Sequence, residues 1–173
     1  MAIVINGSGT VTGLAVGGLP DGTVDKDTLA VGVQSKVLQV VQGSTATAVS
    51  SSTNTFVDTG LTATITPSAT TSKILVLIVH NGCNKSSANS NNTIDIRLLR
   101  GASTITSAIG ALNGTATAVQ ITTSASIEYL DSPATTAATT YKTQFRSRNN
   151  LASVDVQFAG VNTSTITLME IGV

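Results

Sequence analysis

The chain has 173 residues, with nine basic and nine acidic side chains and a formal net charge of zero. That balance, an aromatic content of 3% and the absence of tryptophan argue against nucleic-acid binding, which needs a basic patch interleaved with stacking rings. Charged residues are 10% of the chain and hydrophobic residues 41%, and Thr, Ser, Asn and Gly supply much of the rest, which favours strands and turns over a helical bundle.

Residues 1–35 differ from the remainder of the chain. Gly7, Gly9, Gly13, Gly17, Gly18 and Gly22 interrupt the stretch too often for a core of its own, so it reads as an extended, Gly-rich arm lying on another surface. Its candidate contact residues are Ile3, Val4, Ile5, Leu14, Val16, Leu19, Pro20 and Asp21. Leu19, Pro20, Asp21 and Gly22 make a turn, and Asp25 is placed to cap a short helix reaching about Val31. The apolar run at residues 2–5 has no basic segment before it and is too short for a secretory leader. Cys83 is the single cysteine, so no disulfide closes within the chain and folding in a reducing cytoplasm is expected.

From Lys36 the pattern becomes closely spaced strands. Residues 36–42 are the first, and residues 43–54 read as a Ser/Thr/Ala connection. Residues 56–79 are the stretch around which the rest is organised, and they read as a strand pair closed by a Pro/Ser/Thr turn. Leu61, Ala63 and Ile65 alternate with Thr62, Thr64 and Thr66, which puts apolar groups on one face and hydroxyls on the other. Pro67 ends the strand for want of an N–H. Ile74, Leu75, Val76, Leu77, Ile78 and Val79 are apolar at every position, so both faces of that strand must be dry. A packed sheet covers one. The second needs a neighbouring subunit or the chain's own arm, with Lys73 and His80 flanking the run as gatekeepers against aggregation. No apolar run is long enough to cross a bilayer as a helix.

Residues 81–92 read as an exposed polar loop, and Ile94, Ile96 and Leu98 as a half-buried strand. Asn113 and Gly114 form the strongest tight-hairpin signal. Val119 and Ile121, then residues 127–130, supply further strands. Tyr141, Thr143 and Phe145 alternate with Lys142, Gln144 and Arg146, and Val154, Val156, Phe158 and residues 164–171 complete the set. Short strands divided by turns indicate an all-β protein, a jelly-roll-like antiparallel sandwich over residues 36–173.

Chemistry is sparse. Asp58, Thr59 and Gly60 resemble the catalytic loop of retroviral-type aspartic proteases, but that chemistry needs two carboxylates sharing a proton. Only one copy is present, and Gly82 follows His80 and Asn81 where the family has two hydrophobic residues, so a turn between strands is the reading. His80 and Cys83 stand three apart and read as a strand cap and a loop thiol; without a second Cys pair they make a poor zinc site. Asp21, Asp25 and Asp27 lack the spacing and closing Glu of a calcium loop. Gly7, Gly9 and Gly13 miss the dinucleotide fingerprint. Lys142, Arg146 and Arg148 read as a solvated face. Neither a catalytic residue nor a cofactor nor a metal is expected.

Four stretches resemble bacteriophage fibre and head-decoration proteins, marine phages among them: TGLAVGGLPDGTVDKDTLA, SKVLQVVQ followed by TFVDTGLTATITPSATTSKILVLIV, TTYKTQFRSR and STITLMEIGV. The resemblance implies a non-enzymatic virion protein assembled in the host cytoplasm. It further implies a homotrimer, an arm that docks on a phage capsid or tail protein, and an outward knob. A head fibre or decoration protein is one form of that expectation; a tail-fibre adhesin for a host surface glycan is the other. Neither carries a nucleic-acid or membrane partner.

Overall fold

The alternating Thr and aliphatic residues build two antiparallel sheets in a computed structural model that describes residues 36–85, 92–106, 109–110, 120–150 and 152–173. The arm residues, the helix expected after Asp25, the Asn113 and Gly114 turn and Val119 lie outside these residues. Eleven strands form within them: β1 (Val37–Thr45), β2 (Val49–Ser51), β3 (Val57–Ile65), β4 (Lys73–Lys85), β5 (Ile94–Arg100), β6 (Ser103–Thr104), β7 (Ile109–Gly110), β8 (Ile121–Asp131), β9 (Thr139–Ser147), β10 (Val154–Val156) and β11 (Ser164–Ile171). Among the described residues no helix is long and apolar enough to cross a membrane.

Sheet A follows the order β1-β11-β4-β10-β2, with β8 on the other edge of β4, and sheet B the order β3-β9-β5-β6, with β7 also on β5. Several of these strands are pieces of one line. β1 pairs with β11 and β2 with β10, β10 and β11 share one edge of β4, and β6 and β7 share one edge of β5. Counting each line once leaves eight long strands. Numbered along the chain, they are ordered 1-8-3-6 in sheet A and 2-7-4-5 in sheet B. That is the connectivity of the jelly roll.

The residues at 56–79 do not form a hairpin. β3 pairs with β9 in sheet B, while β4 pairs with β8, β10 and β11 in sheet A, so residues 66–72 are an arch that carries the chain from one sheet to the other. The hydrophobic pattern is the same for a hairpin and an arch, because both require the apolar faces of the two strands to meet in one core. Pro67 and a turn closed from Ser72 N–H to the Ala69 carbonyl (3.2 Å) shape the arch. The buried Glu170 ties it down, accepting from Ser68 N–H (2.7 Å), Ser68 Oγ (2.6 Å) and Gln39 Nε2 (2.6 Å). Among the described residues a tight hairpin lies at Gly101, whose φ of 57° suits the two-residue turn between β5 and β6.

Two other boundaries shift. The connection expected at residues 43–54 contains the end of β1 and all of β2. The polar loop expected at 81–92 is, through Lys85, a continuation of β4 in which Gly82, Cys83, Asn84 and Lys85 are buried. A polar sequence runs as a strand here because its neighbours satisfy it: Asn84 Nδ2 donates to Asp155 Oδ2 (2.9 Å), its Oδ1 accepts from Thr122 (3.0 Å), and Ser50 donates to Asp155 Oδ1.

Between the sheets lie Leu61, Ile65, Ile74, Val76, Ile78, Ile96, Leu98, Tyr141, Phe145, Ile166 and Leu168, all at 1% exposure or less. Polar bridges cross this core at two levels. Asp131, ending β8, accepts from the Tyr141 hydroxyl (2.6 Å) and from Arg100 (2.8 and 3.0 Å) in sheet B. Deeper in, His80 Nε2 meets Thr143 Oγ1 at 2.9 Å, and Thr143 meets Thr59 Oγ1 at 2.6 Å.

Candidate interaction surface

β4 is apolar on both sides, and the sandwich uses only one of them. Ile74, Val76 and Ile78 point into the core, whereas Leu75 and Leu77 are half-buried and Val79 is 43% exposed on the outer face of sheet A. The register extends that face across four strands. Leu75 stands beside Met169 and Leu130, with Val40 next to Met169; Leu77 stands beside Thr167 and Glu128, with Gln42 next to Thr167; Val79 stands beside Thr165 and Ser126, with Ser44 next to Thr165. Leu38, at the β1 bulge, lies against Gly172. Exposure is 47% at Leu38, 55% at Val40 and 51% at Leu130, so the outer face is apolar at the end where β1 begins. It turns to hydroxyls and amides toward Ser50, Asp155, Asn84 and Thr122. A depression of about 360 Å³ on this face is lined by Leu77, Val79, Ser126, Glu128, Thr165 and Thr167.

The outer face of sheet B has the opposite character. Asp95 accepts from Arg146 Nε (3.0 Å) and Arg148 Nε (2.7 Å), Asp58 from Lys142 Nζ (2.9 Å) and Gln144 Nε2 (2.8 Å), and Arg97 donates twice to Gln144 Oε1. Phe56 is covered by the guanidinium groups of Arg97 and Arg146, 4.0 and 4.6 Å from its ring centroid; its ring therefore sits with this charged lattice and not on an apolar face. The Lys142–Asp58 pair is open to solvent and adds little stability singly, whereas Asp95 is buried and takes its two arginines from the surface. Together they make a surface at ease in water.

Among the described residues, the groups singled out for chemistry are occupied, while Asp21, Asp25, Asp27, Gly7, Gly9 and Gly13 lie outside them. Asp58 and Gly60 mark a bulge inside β3, with Gly60 at φ 80°, and not a turn between strands. Partial burial works against the Asp58 carboxylate, but Lys142 and Gln144 outweigh it and hold the group below its usual range. His80 is neither a strand cap nor a surface gatekeeper: it is fully buried within β4, and burial lowers its pKa to about 4. Every polar atom of the neutral ring has a partner. Thr143 serves Nε2, and the Gln157 amide oxygen accepts from Nδ1 (3.3 Å) and from Ser164 Oγ (2.8 Å), while its NH2 donates to the Thr59 and Thr47 carbonyls (3.3 Å each). Cys83 is buried as well, its thiol pushed up to about 12 by desolvation. A neutral imidazole locked in a network and an un-ionised thiol have no nucleophile to offer. Among the described residues no three His, Cys, Asp or Glu side chains cluster to hold a metal ion.

Of the strand marked out from the sequence, Leu75, Leu77 and Val79 thus reach the surface while Ile74, Val76 and Ile78 are core. Sequence reading missed Leu38, Val40, Glu128 and Leu130 as members of the same face. Their parity along β1 and β8 was legible; that these two strands flank β11 and β4 was not.

No protein-family model and no curated protein sequence matches the chain. Among solved structures, it is similar in fold to the protein of T=1 particles derived from infectious bursal virus, at 12% identity over 83% of this chain and 41% of that one, with a TM-score of 0.39. It is also similar to the protein of the infectious bursal disease virus Gt strain, at 12% identity over the same shares of each chain and a TM-score of 0.32. The chain spans less than half the length of either neighbour.

Proposed function

We propose that this chain is a non-enzymatic virion structural protein, a homotrimeric head fibre or decoration protein of a bacteriophage, with Met1–Ser35 attaching it to the particle and Lys36–Val173 forming an outward knob. The observation that carries this reading is the difference between the two outer faces of the jelly roll. One is a charged lattice suited to solvent; the other exposes Leu38, Val40, Val79 and Leu130 on a single sheet, which suits a subunit whose neighbours cover it. The jelly roll also serves lectins and cupins, and a fold does not fix a function. The resemblance of the four sequence stretches to phage fibre and decoration proteins is what selects among these uses.

A tail-fibre adhesin is the competing form. It draws on the loops at the end of the sandwich away from Lys36, where Thr53, Asn54, Arg148, Asn149 and Asn150 are exposed and Ser147 N–H reaches the Thr53 carbonyl at 3.0 Å. Hydroxyls, amides and a guanidinium are groups that hydrogen-bond a host glycan. Immunogold labelling of intact particles with antibody against residues 36–173 tests both. Label over the head is the expected result. Label at the tail replaces the decoration reading with the adhesin, and particles without label overturn the virion assignment.

A further inference from the structure

We propose that the outer face of sheet A is the seat of a second copy of this chain, with Lys73 of each copy meeting Glu128 of its neighbour. The inference rests on the assembly reading above and assigns it a surface and a pairing.

The apolar end of the face favours burial. Val40, Met169, Leu75 and Leu130 form one row across four strands, and burying them removes apolar surface from water in proportion to its area. Charge on the face favours it too. Among the described residues, Asp58, Asp95 and Asp131 are paired with cations, and Asp155 and Glu170 accept hydrogen bonds from neighbouring side chains. Glu128 alone among these carboxylates has no side-chain hydrogen bond or ion pair, and among the described cations Lys36 and Lys73 have none either. Glu128 and Lys73 lie on the outer face of sheet A. They cannot answer one another within one chain, because Glu128 stands opposite Leu77, four residues from Lys73 along β4 and so roughly 13 Å away.

Neighbouring copies resolve both charges: around a three-fold axis Lys73 of each copy meets Glu128 of the next, and its Glu128 meets Lys73 of the third. With an apolar row and a charge of each sign, the face complements the same face of another copy. A strongly charged partner gains nothing from such a face. A glycan finds no ring to stack on, since Tyr129, the aromatic residue of β8, packs against the core.

The test is sedimentation equilibrium of the full chain over a wide concentration range, for the wild type, Lys73→Glu, Glu128→Lys and the double reversal, with circular dichroism to confirm folding. The wild type is expected to associate. Each single reversal sets like charges against each other and is expected to raise the dissociation constant at least about tenfold. The double reversal should restore it to near the wild-type value. Leu130→Asp, at a half-exposed position, should weaken association without unfolding the chain. A wild type that stays monomeric, or an oligomer indifferent to all four variants, overturns the interface; single reversals that the double reversal fails to rescue overturn the pairing. These constants are independent of where antibody labels the particle, so loss of the virion reading and loss of the interface are separable results.

Discussion

Single residues fix how this sandwich responds to acid and to added volume. His80 is the one histidine in the chain, and its folded pKa of about 4 lies below the ordinary 6.5. Below pH 6.5 the unfolded chain takes up a proton that the folded chain refuses, so stability is full above that pH and drains away as pH falls toward 4. Each tenfold difference in proton affinity between the folded and the unfolded ring is worth about 1.4 kcal/mol. Urea midpoints at pH 7.0, 6.0 and 5.0 should therefore fall in sequence, and a His80→Gln variant should show a flatter profile; identical wild-type midpoints at pH 7.0 and 5.0 would contradict the buried neutral ring. Glu170 adds a lower limb. Burial opposes its ionisation, but hydrogen bonds from Ser68, Gln39 and Ser72 hold its carboxyl at about 2, so its contribution is present above the ordinary 4.5 and is lost as pH falls toward 2. Gly43 answers to sterics: a Cβ there would lie 2.1 Å from the Thr62 carbonyl oxygen across the sandwich. Gly43→Ala should cost on the order of 1–3 kcal/mol, read as a lower thermal midpoint, and an unchanged midpoint would mean that β1 and β3 do not approach so closely.

Among the elements, β4 is the informative strand, because neighbouring positions in it face different surroundings. Val76 is fully buried and Leu77, next to it, opens onto the depression on the outer face. Val76→Asp leaves a charge unpaired in the core, a cost of several kcal/mol, and should yield insoluble or unfolded protein. Leu77→Asp should fold, with an unchanged circular dichroism spectrum, and fail to associate. Equal solubility and assembly of the two variants would show the strand to be rotated relative to this description. The alternation was legible in the sequence as a doubly apolar run. Its division into a core face and an outer face was not, since six consecutive aliphatic residues carry no sign of which set points inward.

In the molecule as a whole, both sheets and the core formed by the described residues lie within Lys36–Val173, and β1 begins at Val37. A protein starting at Lys36 is therefore expected to unfold cooperatively near the midpoint of the full chain and to lose binding to particles. A truncated protein without a thermal transition would show the first 35 residues to be part of the core.

Composition and a two-residue period were enough to establish the all-β class, the inward residues of β3, β5 and β9 and the apolar excess of β4, because each of these is a local property of the chain. Long-range pairing settled the rest. Whether residues 66–72 close a hairpin or arch between sheets depends on which distant strands offer hydrogen bonds, and β9 and β11, more than 70 residues on, are absent from any local window. The same holds for His80, Cys83 and Lys85, polar by type yet buried, because Thr143, Gln157 and the other strands that receive them arrive from far along the chain. The apolar outer face is a product of strand order as well: Val40, Leu75, Leu130 and Met169 are scattered through the sequence, and only the jelly-roll connectivity sets them in one row.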